Sequence, residues 1–214
     1  MGIALHKKKT SHSTLMTEGS IWKHILFFSI PLILGNMLQQ LYNTVDSIVV
    51  GNFLGSEALA AVGSSSSLIM LLISFSMGAA AGAGVIVSQF IGAQNKKGIH
   101  ESVHTALAIA LILGVVLTAA GLILSPQILR WMGTPEEVMP QSITYLRLYF
   151  AGVIFSILYN MASGILNAVG NSKRALLYLA IASFTNIILD LLFIPVLKMG
   201  IAGAAIATDI SQLL

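Results

Sequence analysis

A long apolar run from Ile21 to Leu54 constrains this chain more than any other feature, because it carries strongly polar side chains. The run exceeds the roughly 20 residues that a helix needs to cross a bilayer. Six of its polar residues fall within about 120° of one another on a helix turning about 100° per residue. These residues are Asn36, Gln39, Gln40, Asn43, Asp46 and Ser47. The opposite face is aliphatic, so the run predicts a spanning helix with one side for lipid and one for water, substrate or polar neighbours.

Two residues in this run are candidates for a role in the mechanism. An aspartate near the centre of a spanning helix costs about 2.5–3.5 kcal/mol on insertion scales. Asp46 is therefore expected to serve a function, or else to make a structural hydrogen bond to another helix. Pro31 removes a backbone hydrogen bond, which makes it a candidate hinge of the first helix.

Composition extends this conclusion to the whole chain. Its 214 residues are 56% hydrophobic and 9% charged, with a mean hydropathy of +0.89, whereas soluble domains carry about 25% charged residues. The net charge of +3 comes from lysines and arginines that lie mainly between apolar runs. They are typical of topology signals and do not favour a nucleic-acid partner. The absence of cysteine excludes disulfides and thiolate metal sites.

Six apolar spans are predicted to follow a polar leader of residues 1–20. We place them at residues 21–50, 58–90, 103–124, 140–166, 175–197 and 201–214. The last span has 14 residues, too few to cross a bilayer, so we interpret the sixth helix as incomplete. In the second span, Gly78, Gly82 and Gly84 predict close approach to a neighbouring helix backbone.

The basic residues predict the orientation. Eight of the eleven lie in the leader or in the loops on its side of the membrane. These residues are Lys7, Lys8, Lys9, Lys23, Lys96, Lys97, Lys173 and Arg174. Because positive charge marks the cytoplasmic side, we expect a multi-pass protein of the plasma (inner) membrane with a cytoplasmic N-terminus.

This topology brings carboxylates from three spans to one depth. Asp46, Asp190 and Asp209 each lie five to nine residues from the outer end of their spans, or roughly 7–14 Å below the outer surface. Asn186 shares a face with Asp190 at i, i+4, and Thr208 precedes Asp209. The coincidence of depth predicts a shared polar cavity in the outer half of the membrane.

Several segments together resemble the multidrug and toxic compound extrusion (MATE) family of transporters. They are YNTVDSIVVGNFLG at 42–55, LAAVG at 59–63, SQFIGAQN at 88–95, GILNAVGNSK at 164–173 and GIAGAAIAT at 200–208. The resemblance extends from about residue 17 to the end of the chain. No single segment is unique to the family, but their order is specific.

The resemblance implies a fold and an activity. The fold is the six-helix N-terminal lobe of a twelve-helix, all-α transporter of the MOP superfamily, without its C-terminal lobe. The activity is export of organic, often cationic, compounds driven by a H⁺ or Na⁺ gradient, with no other cofactor and with membrane lipids as surroundings. One lobe alone is expected not to transport, because alternating access needs two bundles.

The resemblance also assigns residues. Coupling residues in the N-terminal lobe carry over to Asp46, Asn186, Asp190 and Thr208. The fourth-helix asparagine of the pattern corresponds to Asn160 or lies near Ser163. The substrate cavity is expected to include Asn36, Gln39, Gln40, Asn43, Asn160 and Ser163.

Proton coupling agrees with the physics of these residues. Desolvation and a second nearby carboxylate both favour the neutral form of a carboxyl group, so Asp46 and Asp190 are expected to titrate as a pair. Protonation would weaken attraction for a cation and allow the polar helices to repack. The ionised pair, with the oxygens of Asn186 and Thr208, could bind Na⁺ instead.

Two alternatives remain from the sequence. His100, Glu101 and His104 spell HExxH, the pattern of zinc metalloproteases, although no third ligand follows at similar depth. A lipid-linked oligosaccharide flippase of the same superfamily would need basic residues for pyrophosphate, whereas the embedded charges here are acidic apart from Arg147.

Overall fold

The structure, a computed structural model, describes residues 20–213 except the side chains of residues 21 and 24. The described residues form six α-helices and no strand. The helices are α1 (Ile21–Leu54), α2 (Ser56–Gly92), α3 (Lys96–Trp131), α4 (Met139–Ala168), α5 (Ser172–Leu191) and α6 (Ile201–Leu213). The first five are long and apolar enough to cross a membrane. The all-α, six-helix membrane fold is therefore confirmed, while the basic leader and Leu214 lie outside the described residues.

Helix α4 lies at the centre of the bundle and packs against α2, α3 and α6, while α1 packs mainly against α5. Two buried clusters follow from this arrangement. One surrounds Leu146, Phe150 and Ile157 of α4 with residues of α2 and α3. The other joins Val50, near the C-terminal end of α1, to Ala205 of α6. Both clusters contain residues of α4, so this helix connects the two packed parts of the bundle.

Glycines allow α2 and α4 to cross closely. A Cβ atom at Gly164 would lie 2.8 Å from the backbone oxygen of Ala80, and one at Gly84 would lie 3.3 Å from the backbone oxygen of Gly164. A Cβ atom at Gly78 or Gly82 would meet nothing within 4 Å. The predicted close approach thus occurs at Gly84 and not at the other two glycines.

Helix α3 is longer than the span expected from its apolar residues. At its start the Asn95 side chain accepts a hydrogen bond of 3.0 Å from the backbone N–H of Gly98, which caps the helix. At its end the helix continues through Pro126 to Trp131, where the sequence predicted a loop. Proline cannot donate to the carbonyl four residues earlier, but Arg147 Nε donates to this Leu122 oxygen at 3.1 Å. The side chain from α4 thus replaces the missing helix bond.

The α-helical part of the fifth span, α5, ends at Leu191, and the span as a whole runs from Ser172 to Val196, within one residue of its predicted end. A π-helical turn from Leu192 to Val196 follows, in which the N–H of Leu197 donates to the carbonyl of Leu192 at 2.9 Å. Pro195 lies inside this turn. Left-handed conformations at Lys198 and Gly200 then reverse the chain into α6. Helix α1, by contrast, runs without interruption through Pro31.

We expect Arg147→Met to lower the free energy of unfolding by about 1–3 kcal/mol, because it leaves the Leu122 carbonyl without a donor. In a Pro126→Ala background the restored backbone N–H supplies that donor, so the same substitution should cost much less. Unfolding in mixed micelles measures all four proteins of this double-mutant cycle. Equal costs in both backgrounds would show that Arg147 does not compensate for the proline.

Candidate functional site

Two carboxylates from different helices meet inside the lobe. Asp46 of α1 and Asp190 of α5 interact through their side chains. Asp190 is fully buried, and Asp46 is partly buried. The chain brings them together because α1 and α5 pack side by side, with Gly35 of α1 against Leu179 of α5.

Protein donors do not reach these carboxylates within the part of the chain that the structure describes. Both carboxylate oxygens of Asp190 and Oδ1 of Asp46 are buried without a hydrogen-bond partner. Ionised carboxylates only accept hydrogen bonds, and two adjacent charges in a low-dielectric interior repel each other strongly. The pair is therefore suited to holding a proton between its oxygens or to binding a small cation.

Neutral polar groups continue the site from Asp190 to α6. Asn186 is 1% exposed, and its Nδ2 donates to Thr208 Oγ1 at 3.4 Å. The Thr208 hydroxyl donates to the backbone oxygen of Ala204 at 3.1 Å. Oδ1 of Asn186 is buried without a donor, which adds another free oxygen acceptor near the pair.

A cavity of about 80 Å³ adjoins this cluster. It is bounded by Asp46, Asn160 and Thr208 together with residues from α1, α2, α4 and α6. Among the other predicted residues, Gln39 and Asn43 also line it. Asn36 and Gln40 are exposed on α1 and do not line it. Asn186 and Asp190 are buried and do not line it either. This cavity will be called the carboxylate cavity.

Of the two residues that the sequence left for the fourth-helix position, Asn160 and not Ser163 lines the carboxylate cavity. The Nδ2 of Asn160 donates to the backbone oxygen of Ser156 at 2.9 Å. Ser163 lies one turn further along α4, where it lines a separate, larger groove. Asn160 borders both spaces.

Sequence reasoning missed the aromatic part of the cavity wall. Four tyrosines line it, together with Gln212. They are Tyr42, Tyr145, Tyr149 and Tyr159. Their spacing held a usable signal, since Tyr145, Tyr149 and Ser156 recur on one face of α4 and Tyr42 lies one turn before Asp46 on α1. Phenol rings offer both hydroxyl groups and π faces for a cation.

Asp209, the third embedded carboxylate, lies outside the carboxylate cavity lining. It packs against Gly152 of α4, where an added Cβ atom would lie 1.8 Å from the Asp209 Cγ. Its Oδ1 is buried without a donor. Thr208 and Asp209 thus face different neighbours, and Asp209 occupies a notch that only glycine leaves open.

The HExxH segment lies at the start of α3, where its side chains contact one another and Lys97. The His100 and His104 rings stack with centroids 4.0 Å apart, and His104 Nδ1 lies 2.8 Å from the His100 backbone oxygen. Glu101 is 3.7 Å from Lys97 in an exposed i, i+4 ion pair. Across residues 20–213, no three metal-binding side chains come together. The pattern therefore gains no third ligand from the fold.

Fold and site define a class: a multi-pass helical membrane protein with paired buried carboxylates beside a polar cavity. Residues 31–192 match the MatE family model. The chain therefore belongs to the MATE family, which confirms the resemblance seen in its motifs. Members of this family are transporters and not enzymes, and multidrug efflux is supported at the level of the family.

Individual relatives agree with this assignment. The chain is 39% identical over 196 residues to "Probable multidrug resistance protein YpnP" of Bacillus subtilis strain 168, covering 92% of this chain and 44% of that protein. It is 37% identical to "Probable multidrug resistance protein YoeA" of the same organism, covering 96% and 46%. A solved outward-facing multidrug resistance MATE transporter of the MOP superfamily matches with a TM-score of 0.89 and 35% identity, covering 96% and 46%. The chain thus spans about half the length of the curated relatives it matches.

Proposed function

We propose that this chain is the N-terminal lobe of a secondary active antiporter that exports small organic cations in exchange for H⁺ or Na⁺. The observation that carries the proposal is the Asp46–Asp190 pair, whose buried oxygens lack protein donors and of which Asp46 lines the carboxylate cavity. Transport itself is proposed for a two-lobe protein that carries this chain, since rocking of two bundles is required.

The carboxylate cavity has the size of a site for a coupling ion and is smaller than a site for an organic substrate. At about 30 Å³ per water molecule, the carboxylate cavity of about 80 Å³ holds two or three waters, or a small cation that has lost most of its hydration shell. Organic ligands occupy pockets of about 300–1,000 Å³. In this conformation Asp46, Asn160 and Thr208 therefore surround a site of the size that a coupling ion needs.

Exchange then follows from electrostatics. When Asp46 and Asp190 are ionised, their negative charge attracts a cation into the lobe. Binding of one H⁺ or Na⁺ cancels one of the two negative charges, which weakens that attraction and relieves the repulsion between the carboxylates of α1 and α5. Pro31, which lacks a backbone donor, provides a hinge for the movement of α1.

A cationic substrate fits the charges of the lobe better than a pyrophosphate does. Acidic and phenolic side chains border the carboxylate cavity, and none of the residues that line it is basic. Arg147, the embedded cation considered for a flippase, is engaged with the Leu122 carbonyl between α3 and α4. Membrane lipids and the second lobe are the further partners that we propose.

The deciding experiment is transport by a two-lobe protein that carries this lobe, reconstituted in liposomes. An acidic lumen should drive ethidium uptake if protons leave in exchange, and a Na⁺-loaded lumen should do so if Na⁺ leaves. Collapse of the effective gradient by an ionophore should stop uptake. Ethidium uptake that depends on neither the H⁺ gradient nor the Na⁺ gradient would refute antiport.

The proposed orientation, with the N-terminus cytoplasmic in the plasma membrane, has its own test. Cysteines replacing Ser56 or Glu136 should react with an impermeant thiol reagent added outside intact cells, and one replacing Lys96 should not. All three side chains are exposed. Thr134, in the same loop as Glu136, is buried and is a poor labelling site. The reverse pattern would invert the topology.

A further inference from the structure

Arg147 is the only basic residue of α4, and its side chain is exposed on the surface of the lobe where α3 and α4 meet. Its Nε donates to the Leu122 oxygen at 3.1 Å. A guanidinium group carries five N–H donors, and the Leu122 bond is the only hydrogen bond of this side chain to a residue that the structure describes. The ion pair found among residues 20–213 joins Lys97 to Glu101, so no carboxylate in that range pairs with Arg147.

The guanidinium lies at the level where the apolar part of α3 ends. The apolar segment of this helix, residues 103–124, is long enough at 1.5 Å per residue to cross about 30 Å of hydrocarbon. Leu122 is two residues, or roughly 3 Å, from the end of that segment. Arg130 and the exposed Trp131 follow in the last turn of α3. Arg147 is therefore held at the boundary between hydrocarbon and headgroups, within reach of lipid phosphates.

Glycines keep α3 and α4 in close contact beneath this arginine. A Cβ atom at Gly121 would overlap the Phe150 ring, and one at Gly114 would lie 2.6 Å from the Cγ1 of Ile154. The line along which the two helices touch will be called the α3–α4 seam. Because the helices are packed directly against each other there, the guanidinium lies over the seam and not inside it.

The α3–α4 seam is on the side of the lobe away from the carboxylate cavity. Helix α3 packs against α2 and α4, and none of its residues lines that cavity. Phe150, which meets α3, and Gly152, which meets Asp209 of α6, are about 200° apart around α4. Helices α3 and α6 therefore lie on opposite sides of α4, and the outer surface of α3 faces lipid.

The chemistry of the seam fits a molecule with an anionic, oxygen-rich head and apolar chains. The free N–H groups of a guanidinium can bind two oxygens of one phosphate. Arg130, exposed in the last turn of α3, adds a second positive charge on the headgroup side. On the hydrocarbon side, one face of α3 presents exposed Ile112, Val116 and Ile123. An anionic phospholipid supplies both the phosphate and the chains.

We propose that Arg147 binds the phosphate of an anionic phospholipid, such as phosphatidylglycerol, over the α3–α4 seam. Its Nε holds the Leu122 carbonyl, whose helix partner is missing at Pro126, and its two Nη atoms hold the lipid. An arginine in a spanning helix is costly, and the phosphate offsets that cost. The site requires neither the coupling ion nor the carboxylate pair, so it is independent of the proposed antiport.

The test measures which lipid contacts α3 beside Arg147 in a two-lobe protein that carries this lobe. Trp22, Trp131 and the tryptophans of the second lobe are replaced by phenylalanine, and Ile123→Trp places one reporter next to Leu122. Dibrominated phosphatidylcholine quenches tryptophan fluorescence on contact, and an unbrominated lipid restores the fluorescence by displacing it. Phosphatidylglycerol should restore it about five times more effectively than unbrominated phosphatidylcholine, the preference expected for one basic residue near an anionic lipid.

The controls separate the charge of Arg147 from its role in folding. In a Pro126→Ala background the restored backbone N–H bonds to Leu122, so Arg147→Met can be compared without a large loss of stability. The preference should persist in Pro126→Ala and fall to about one when methionine is added. Ile112→Trp is the control for position, because Ile112 is exposed on the same face of α3 but lies eleven residues nearer the centre of the membrane. It should show no preference.

Three results would overturn the inference. A preference that survives Arg147→Met in the Pro126→Ala background would show that the guanidinium does not hold the lipid. Equal displacement by the two unbrominated lipids at Ile123→Trp would show that the seam does not select an anionic headgroup. A reporter at residue 123 that brominated lipid fails to quench would show that protein, such as the second lobe, covers the seam.

Discussion

Gradient-driven ethidium transport should fall to the level of protein-free liposomes when either Asp46 or Asp190 is replaced by asparagine. Asparagine keeps the size of the side chain but can neither gain nor lose the proton and cannot neutralise a bound cation. Because the two carboxylates interact, either substitution disables the pair. The double variant should therefore be no worse than the single variants, a non-additive result expected of groups that act as one unit.

The same two substitutions, which abolish transport, should not lower the thermal stability of the protein. The oxygens of Asp190 and Oδ1 of Asp46 lack donors, and an unpaired buried charge is costly. Removing that charge should leave the thermal unfolding temperature unchanged or raise it. Asp209→Asn is the matched control, because it removes an embedded carboxylate that packs against Gly152 and is not part of the Asp46–Asp190 pair. Full gradient-driven transport in the double variant would refute the coupling role.

The second large effect is expected at Gly152. Gly152→Ala places a Cβ atom 1.8 Å from the Cγ of Asp209, so α6 or the aspartate must move. Overpacking of this kind typically costs about 1–3 kcal/mol. Because Thr208 is the next residue on α6, the displacement should also lengthen its contact with Asn186 and weaken coupling.

A suppressor makes this prediction specific. Asp209→Ala frees the notch, so Gly152→Ala should cost little in that background. Gly78→Ala is the control: a Cβ atom there meets nothing within 4 Å, and alanine is the better helix former by about 0.5–1 kcal/mol. The four proteins and the control are compared by thermal unfolding and by transport. Loss of stability in Gly152→Ala that Asp209→Ala fails to relieve would show that the contact is not the cause.

Local sequence patterns were sufficient for the helices and for the family. Apolar length, the position of polar residues on one helix face and the ordered motifs each depend on neighbouring residues, so they can be read along the chain. The details at the two later prolines depend on more than local sequence. Helix α3 continues past Pro126, where Arg147, 21 positions away, donates to the Leu122 carbonyl. Pro195 lies instead in a π-helical turn. No local pattern predicts the contact between Arg147 and Leu122.

The sequence by itself determined that Asp46, Asn186, Asp190 and Thr208 are embedded polar residues at a common depth, because depth follows from helix rise and topology. Only the tertiary structure decided which of them share a space. Rotation of each helix about its axis is set by packing, such as Gly35 against Leu179 and Gly152 against Asp209. That packing turns Asn160 toward the carboxylate cavity, leaves Asn36 and Gln40 outside it, and brings four tyrosines to its wall. The rotation of a helix about its axis cannot be predicted from local sequence patterns, because it depends on contacts between residues that are far apart in the chain.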